Sequence, residues 1–163
     1  MEAHVRMKSN HAYSIFFLMI VTLFLPTGIV TAQDTPQAQR ITLMQYAIEQ
    51  RPVLAELLTT AGLAPTLSGS TTYTLLAPPE ETLKRLKGQS DEKVRAVLAM
   101  HIIKGSYKAA DFKEGAQIKT SGGELLTVCR KKGVTLLNGV GLNAVDRETR
   151  NGVVQELNGM LQP

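Results

Sequence analysis

The chain has 163 residues and a formal charge of +4 at pH 7, from 18 Lys+Arg and 14 Asp+Glu. A charge this small supports solubility and weak attraction to acidic surfaces, and points to no particular partner. Cys129 is the only cysteine, so no internal disulfide can form.

The first 32 residues run from positive charge through an apolar stretch to small residues. Arg6 and Lys8 give a basic flank, residues 14–25 are apolar apart from Ser14 and Thr22, and Pro26 and Gly28 break any helix beyond them. Val30-Thr31-Ala32 places small residues at −3 and −1 of a cleavage after Ala32, the three-part layout of a secretory signal peptide. The competing reading is a membrane anchor over residues 14–30, a stretch at the short limit for spanning a bilayer and broken by Pro26 and Gly28. No cysteine lies near the site, which excludes a lipid-anchored product. Cleavage leaves residues 33–163, one domain's length with no second long apolar run and therefore no further membrane span.

Residues 33–40 form a polar, proline-bearing lead-in. Leu43, Tyr46 and Ala47 then fall at helical spacing. Pro52 suits a helix's first turn, and Val53, Leu54, Leu57, Leu58 and Ala61 make one apolar stripe ending at Gly62. Residues 65–72 read as a Ser/Thr/Gly loop. Residues 73–76 read as a strand stopped by Pro78-Pro79. A short helix comes next, with Glu80 and Glu81 at its start and Lys84, Arg85 and Lys87 at its end, a polarity that complements the helix dipole. Ser90 caps a second helix, whose stripe is Val94, Val97, Leu98, His101 and Ile102 and which Gly105 ends.

From Ile118 the period changes. Apolar runs at 124–130, 134–137, 140–145 and 153–157 alternate with turn signals, of which Asn138-Gly139 is the strongest hairpin signal and residues 146–152 form a polar stretch. Helices first and an antiparallel meander afterwards predict an α+β domain. Leu125/Leu126 and Leu136/Leu137 put apolar residues on both strand faces. The expectation is a sandwich or flattened barrel covered on both sides, with helices packed outside.

Candidate chemistry is sparse. His4 and His11 precede the cleavage point, so His101 is the only histidine of residues 33–163. A Cys/His zinc site is then excluded by arithmetic, and any nucleophilic triad would have to run through His101. Its place on an apolar stripe predicts instead a buried histidine bonded to backbone. Cys129, in mid-strand, is expected to be a buried or half-buried small hydrophobe, although Arg130, Lys131 and Lys132 could activate it. Asp111, Glu114, Glu124, Asp146 and Glu148 are loop acids, and the Asp146/Glu148 pair offers too few oxygens for calcium. Half of the domain's Lys/Arg lie between Lys84 and Lys113, but with only Tyr107 and Phe112 interleaved they read as solvated helix faces, with an acidic glycan or a membrane surface as the second reading, and not as a nucleic-acid site. Gly122-Gly123 lacks the helix that a phosphate loop requires.

Three segments carry a family likeness, in order over residues 41–163. Residues 73–83, Tyr-Thr-Leu-Leu-Ala-Pro-Pro-Glu-Glu-Thr-Leu, resemble the first signature of fasciclin-like (FAS1) domains around Ala77-Pro78. Residues 98–105, with His101 and Gly105, resemble the family's central Tyr-His segment. Residues 151–163, opening on Asn151-Gly152 and closing on Leu161-Gln162-Pro163, are similar to its last signature. The resemblance implies a FAS1-type β-sandwich of about seven strands flanked by N-terminal and central helices. It also implies extracellular or periplasmic work in adhesion or matrix contact, no enzymatic activity and no cofactor. Ala77, Pro78, His101, Gly105, Asn151, Gly152 and Pro163 carry over as structural positions. The chain departs from the pattern at Leu76 (usually Phe), Met100 (usually Tyr), Gln155 (usually His) and Asn158 (usually Asp). Met100 removes the tyrosine on which integrin-type recognition partly relies, and there is no Arg-Gly-Asp triplet in its place. The expectation is a stand-alone bacterial module, secreted or periplasmic, that binds a cell-surface or extracellular protein or glycan. The alternative is a carrier holding a lipid or pigment between helices and sheet.

Overall fold

A computed structural model describes residues 41–162; the expected signal peptide, the lead-in and Pro163 lie outside them. Helix α1 (Leu43–Gln50) starts from a reciprocal cap: the Gln45 N–H donates to Thr42 Oγ1 at 3.1 Å, and the Thr42 N–H donates to Gln45 Oε1 at 2.9 Å. Helix α2 (Pro52–Thr60) has proline in its first turn, and Arg51 at the N-cap provides no side-chain acceptor. Glu80 fills that role from a distant segment, accepting from the N–H groups of Val53 at 3.0 Å and Leu54 at 3.4 Å.

Residues expected as a loop hold a further helix, α3 (Ala64–Ser68), which has a proline in its first turn and buries Leu67. Strand β1 (Tyr73–Ala77) comes next, then α4 (Glu80–Leu83), which continues as a 3₁₀ turn (Lys84–Leu86). Ser90 caps α5 (Asp91–Met100) by accepting from the Lys93 N–H at 3.4 Å. The helix stops at His101 and not at Gly105. Residues 102–104 leave as strand β2 (Ile102–Lys104), because β1 offers antiparallel pairing and the Ile102-Ile103 pair favours extended backbone.

The remaining strands are β3 (Gln117–Lys119), β4 (Leu125–Lys131), β5 (Val134–Leu137), β6 (Val140–Thr149) and β7 (Gly152–Leu157). Positive φ at Lys132, Gly133, Asn138 and Gly139 closes the β4–β5 and β5–β6 hairpins with two-residue turns. The polar stretch 146–152 is not a long turn. β6 runs on to Thr149, since a bulge between Asn143 and Arg147 lets it continue pairing with β7.

The sheet order is β2-β1-β7-β6-β5-β4-β3, all antiparallel except β1–β7, which is parallel. The two edges approach each other. Ile103 bridges Thr120, and the Ser121 N–H donates to the Ile102 carbonyl at 2.7 Å, so the sheet curls nearly shut.

Two apolar cores result. One packs α1, α2, α3 and α5 against Leu75, Ala77, Ile102 and Val154 on the outside of the sheet. The other lies inside the curl, with Leu76, Met100, Phe112, Leu126, Val128, Leu137, Leu157 and Leu161. The expectation of cover on both faces fails for the β3–β4–β5 half. Leu126 and Leu137 are fully buried, but Leu125 is 53% exposed and Leu136 is half-buried, because no described helix reaches that side.

Candidate functional site

His101 is fully buried where α5 turns into β2. Its Nδ1–H donates to the Val97 carbonyl at 2.8 Å, and its Nε2 accepts from the Leu161 N–H at 3.0 Å. Burial pushes its pKa down to about 4, against the opposing hydrogen bond to Val97. The ring is therefore neutral, with both nitrogens committed to backbone, and it ties the C-terminal segment to α5.

Asn151 and Gly152 form a second tie. Asn151 Oδ1 accepts from the Leu43 N–H at 2.8 Å, and its Nδ2 donates to the carbonyls of Leu67 at 2.9 Å and Gly69 at 2.8 Å. One buried amide thus joins the start of α1, the end of α3 and the β6–β7 turn. Gly152 has φ 151, and a Cβ there would lie 1.8 Å from the Tyr73 carbonyl oxygen, so β1 pairs with β7 only over a glycine.

Ala77 is buried in the helix-side core, and the Pro78 carbonyl accepts from Arg51 Nη2. The Gly105 carbonyl accepts from Thr74 Oγ1 at 2.8 Å, which in turn accepts from the Tyr107 N–H at 2.8 Å, holding the exit from β2. Pro163 lies outside the described residues.

Gln155 is fully buried on the inner face of β7. Its Nε2 donates to the Tyr107 carbonyl at 3.1 Å and to Asp146 Oδ1, while its Oε1 has no partner among the described residues. Asp146 is spent on Gln155 and on the Ala109 N–H at 2.7 Å, and Glu148 pairs with Lys108, whose pKa is raised by that hydrogen bond and charge. Among the described residues no three acids, cysteines or histidines are grouped as a metal would require. Asp111 accepts from the Lys108 N–H at 2.8 Å and Glu124 from Thr120 Oγ1 at 3.0 Å, both local turn contacts.

Cys129 corrects its expectation: it is exposed, because its side of β4 is the uncovered one. The strand register defines that outer face, since side chains alternate along a strand. Gln117 and Lys119 on β3, Leu125, Thr127, Cys129 and Lys131 on β4, and Val134 and Leu136 on β5 share it. None of them is acidic. Leu125 and Val134, 53% and 45% exposed, are two of the most exposed large apolar residues. Arg130, Lys131 and Lys132 crowd the hairpin tip.

A polar network that the sequence does not announce joins the starts of α2 and α4 to β6 and β7. Arg51 reaches Glu80 at 3.4 Å and Glu156 at 3.9 Å, and Arg147 reaches Glu156 at 3.3 Å. Tyr46 packs beside it, its phenol pKa raised by burial against the opposing charges of Arg147 and Arg51. The one local hint is Arg51-Pro52, a helix start without its own capping side chain, which needs an acceptor from elsewhere.

Residues 49–163 match the family model of the Fasciclin domain. The chain belongs to the Fasciclin domain family. The fold agrees: a solved FAS1 domain pair from the insect cell adhesion molecule Fasciclin I superposes with a TM-score of 0.60 at 14% identity. That match covers 77% of this chain and 52% of the other, so the chain spans about half the length of that structure. No curated protein sequence matches. In this Fasciclin domain, the central His101 and the closing Asn151-Gly152 sit at joints between helices and sheet.

Proposed function

We propose that this Fasciclin domain is an exported, non-enzymatic adhesion-type module that binds an acidic cell-surface protein through the outer face of β3–β4–β5. The observation that carries the reading is that face, where exposed Leu125 and Val134 lie among Lys119, Lys131 and the basic hairpin tip, with no acid on it. Exposed apolar groups ringed by one sign of charge suit a partner of opposite charge with apolar patches of its own. Membership of the Fasciclin domain family supports the adhesion class, as does the fold shared with an insect cell adhesion molecule. The commitment of both His101 nitrogens to backbone supports the absence of acid–base chemistry there. Export, by cleavage after Ala32 into the periplasm or beyond, is supported by the charge, apolar and small-residue order of residues 1–32.

Val134→Asp and Lys131→Glu change only exposed side chains, and together they are expected to lower retention of the exported protein on its own cell envelope at least tenfold. Unchanged retention excludes this face. Retention that survives both changes but is abolished by an acidic polysaccharide moves the partner to a glycan bound elsewhere. N-terminal sequencing of the exported protein tests the leader, and a start before Ala32 excludes that cleavage.

A further inference from the structure

A groove of about 420 Å³ runs along α5, between it and the C-terminal segment. Lys93, Ala96, Val97 and Met100 line it at one-face helical spacing, and Leu86, Met160 and Leu161 close it. Leu86, Met100 and Leu161 are buried and form its floor. Its size is within the range of small-molecule sites, which are typically mostly apolar with a few oriented polar groups. His101 fixes one wall: through Val97 and Leu161 it holds the C-terminal segment against α5 from behind the floor. The groove is therefore built into the domain and does not depend on a loose tail.

Its rim is charged unevenly. Arg85 and Lys93 make no ion pair among the described residues, and Lys93 Nζ donates only to Gln89 Oε1, at 3.0 Å. The one acid of the lining, Glu124, accepts from Thr120 Oγ1 at its own turn. An apolar trough with two unpaired cations at its mouth complements a molecule that is apolar along its length and anionic at one end.

We infer that the groove binds a single-chain amphiphile with one anionic head group, its tail along Ala96, Val97, Met100 and Met160 and its head between Arg85 and Lys93. The site is independent of the sheet face and of its proposed partner, and either can fail alone. The test uses the delipidated full chain, titrated calorimetrically with dodecanoate and with dodecanol as the uncharged control. Dodecanoate is expected to bind at one site per chain, at least tenfold more tightly than dodecanol. Arg85→Ala with Lys93→Ala is expected to remove that preference. Ala96→Trp is expected to fill the trough from the exposed rim of the helix, to leave the circular dichroism spectrum unchanged and to abolish binding of both.

Equal affinity for the two probes in the unaltered protein, or binding unchanged by Ala96→Trp, overturns the inference. So does a dimer that Ala96→Trp disrupts while neither probe binds, which would assign the groove to a second copy.

Discussion

His101 shows how much one side chain can decide. A histidine on an apolar helix face is read from spacing alone, but its two partners are visible only in three dimensions: the Val97 carbonyl one turn back and the Leu161 N–H far along the chain. Because burial lowers its folded pKa to about 4 from an ordinary 6.5, the unfolded chain takes up a proton first as pH falls. Stability from this group is complete above pH 6.5 and is lost between 6.5 and about 4, a loss of about 3 kcal/mol at full extent. Denaturant unfolding of the protein and of His101→Gln at pH 7.5 and pH 4 is expected to show that difference. A stability gap independent of pH would mean that the ring titrates alike in the folded and unfolded chain, as an exposed imidazole does. Asn151 makes the complementary point: the Asn-Gly pair is plain in the sequence, but nothing local reveals that its amide bonds Leu43, Leu67 and Gly69 at once.

At the scale of elements, sequence patterns succeed where the signal is local and fail where a partner strand decides. The hairpin turn at Asn138-Gly139 and the Ser90 cap are short-range chemistry, and both are present in the fold. The Thr42-x-x-Gln45 capping box is equally local, spanning four residues, but the apolar spacing used to find α1 does not reveal it. The boundary between α5 and β2 is not local. The apolar spacing of Val94 to Ile102 continues past His101, but pairing with β1 takes Ile102 and Ile103 out of the helix. The same competition lengthens β6 through residues that look like a turn. The β4–β5 turn retains a local conflict, for Lys132 has φ 51, a conformation that asparagine tolerates better than lysine. Lys132→Asn is expected to raise stability by about 0.5 kcal/mol, measured as a rise in the thermal midpoint. A fall would show that lysine makes a contact there that outweighs its backbone cost.

For the molecule as a whole, the sheet separates two cores and leaves one flank bare. Leu125 and Leu126 are adjacent and chemically identical, so the sequence cannot rank them, but they point to opposite faces of β4. Leu126→Ala is expected to cost about 3 kcal/mol through the cavity left inside the curl. Leu125→Ala is expected to change stability by less than about 0.5 kcal/mol, as surface substitutions usually do. Urea midpoints of the two variants check this, and equal losses would mean that something covers the outer face in the native protein. The α+β order of helices before strands, the turns, and the three motifs that resemble the family are all written in the chain itself. Those are properties of neighbouring residues, set by periodicity, capping and backbone preference. Which apolar face is covered, which carboxylate caps α2, and the groove between α5 and the C-terminal segment emerge only on folding. Each of these depends on residues far apart in the chain, brought together by the near-closure of the sheet at Ile103 and Thr120 and by the ties at His101 and Asn151.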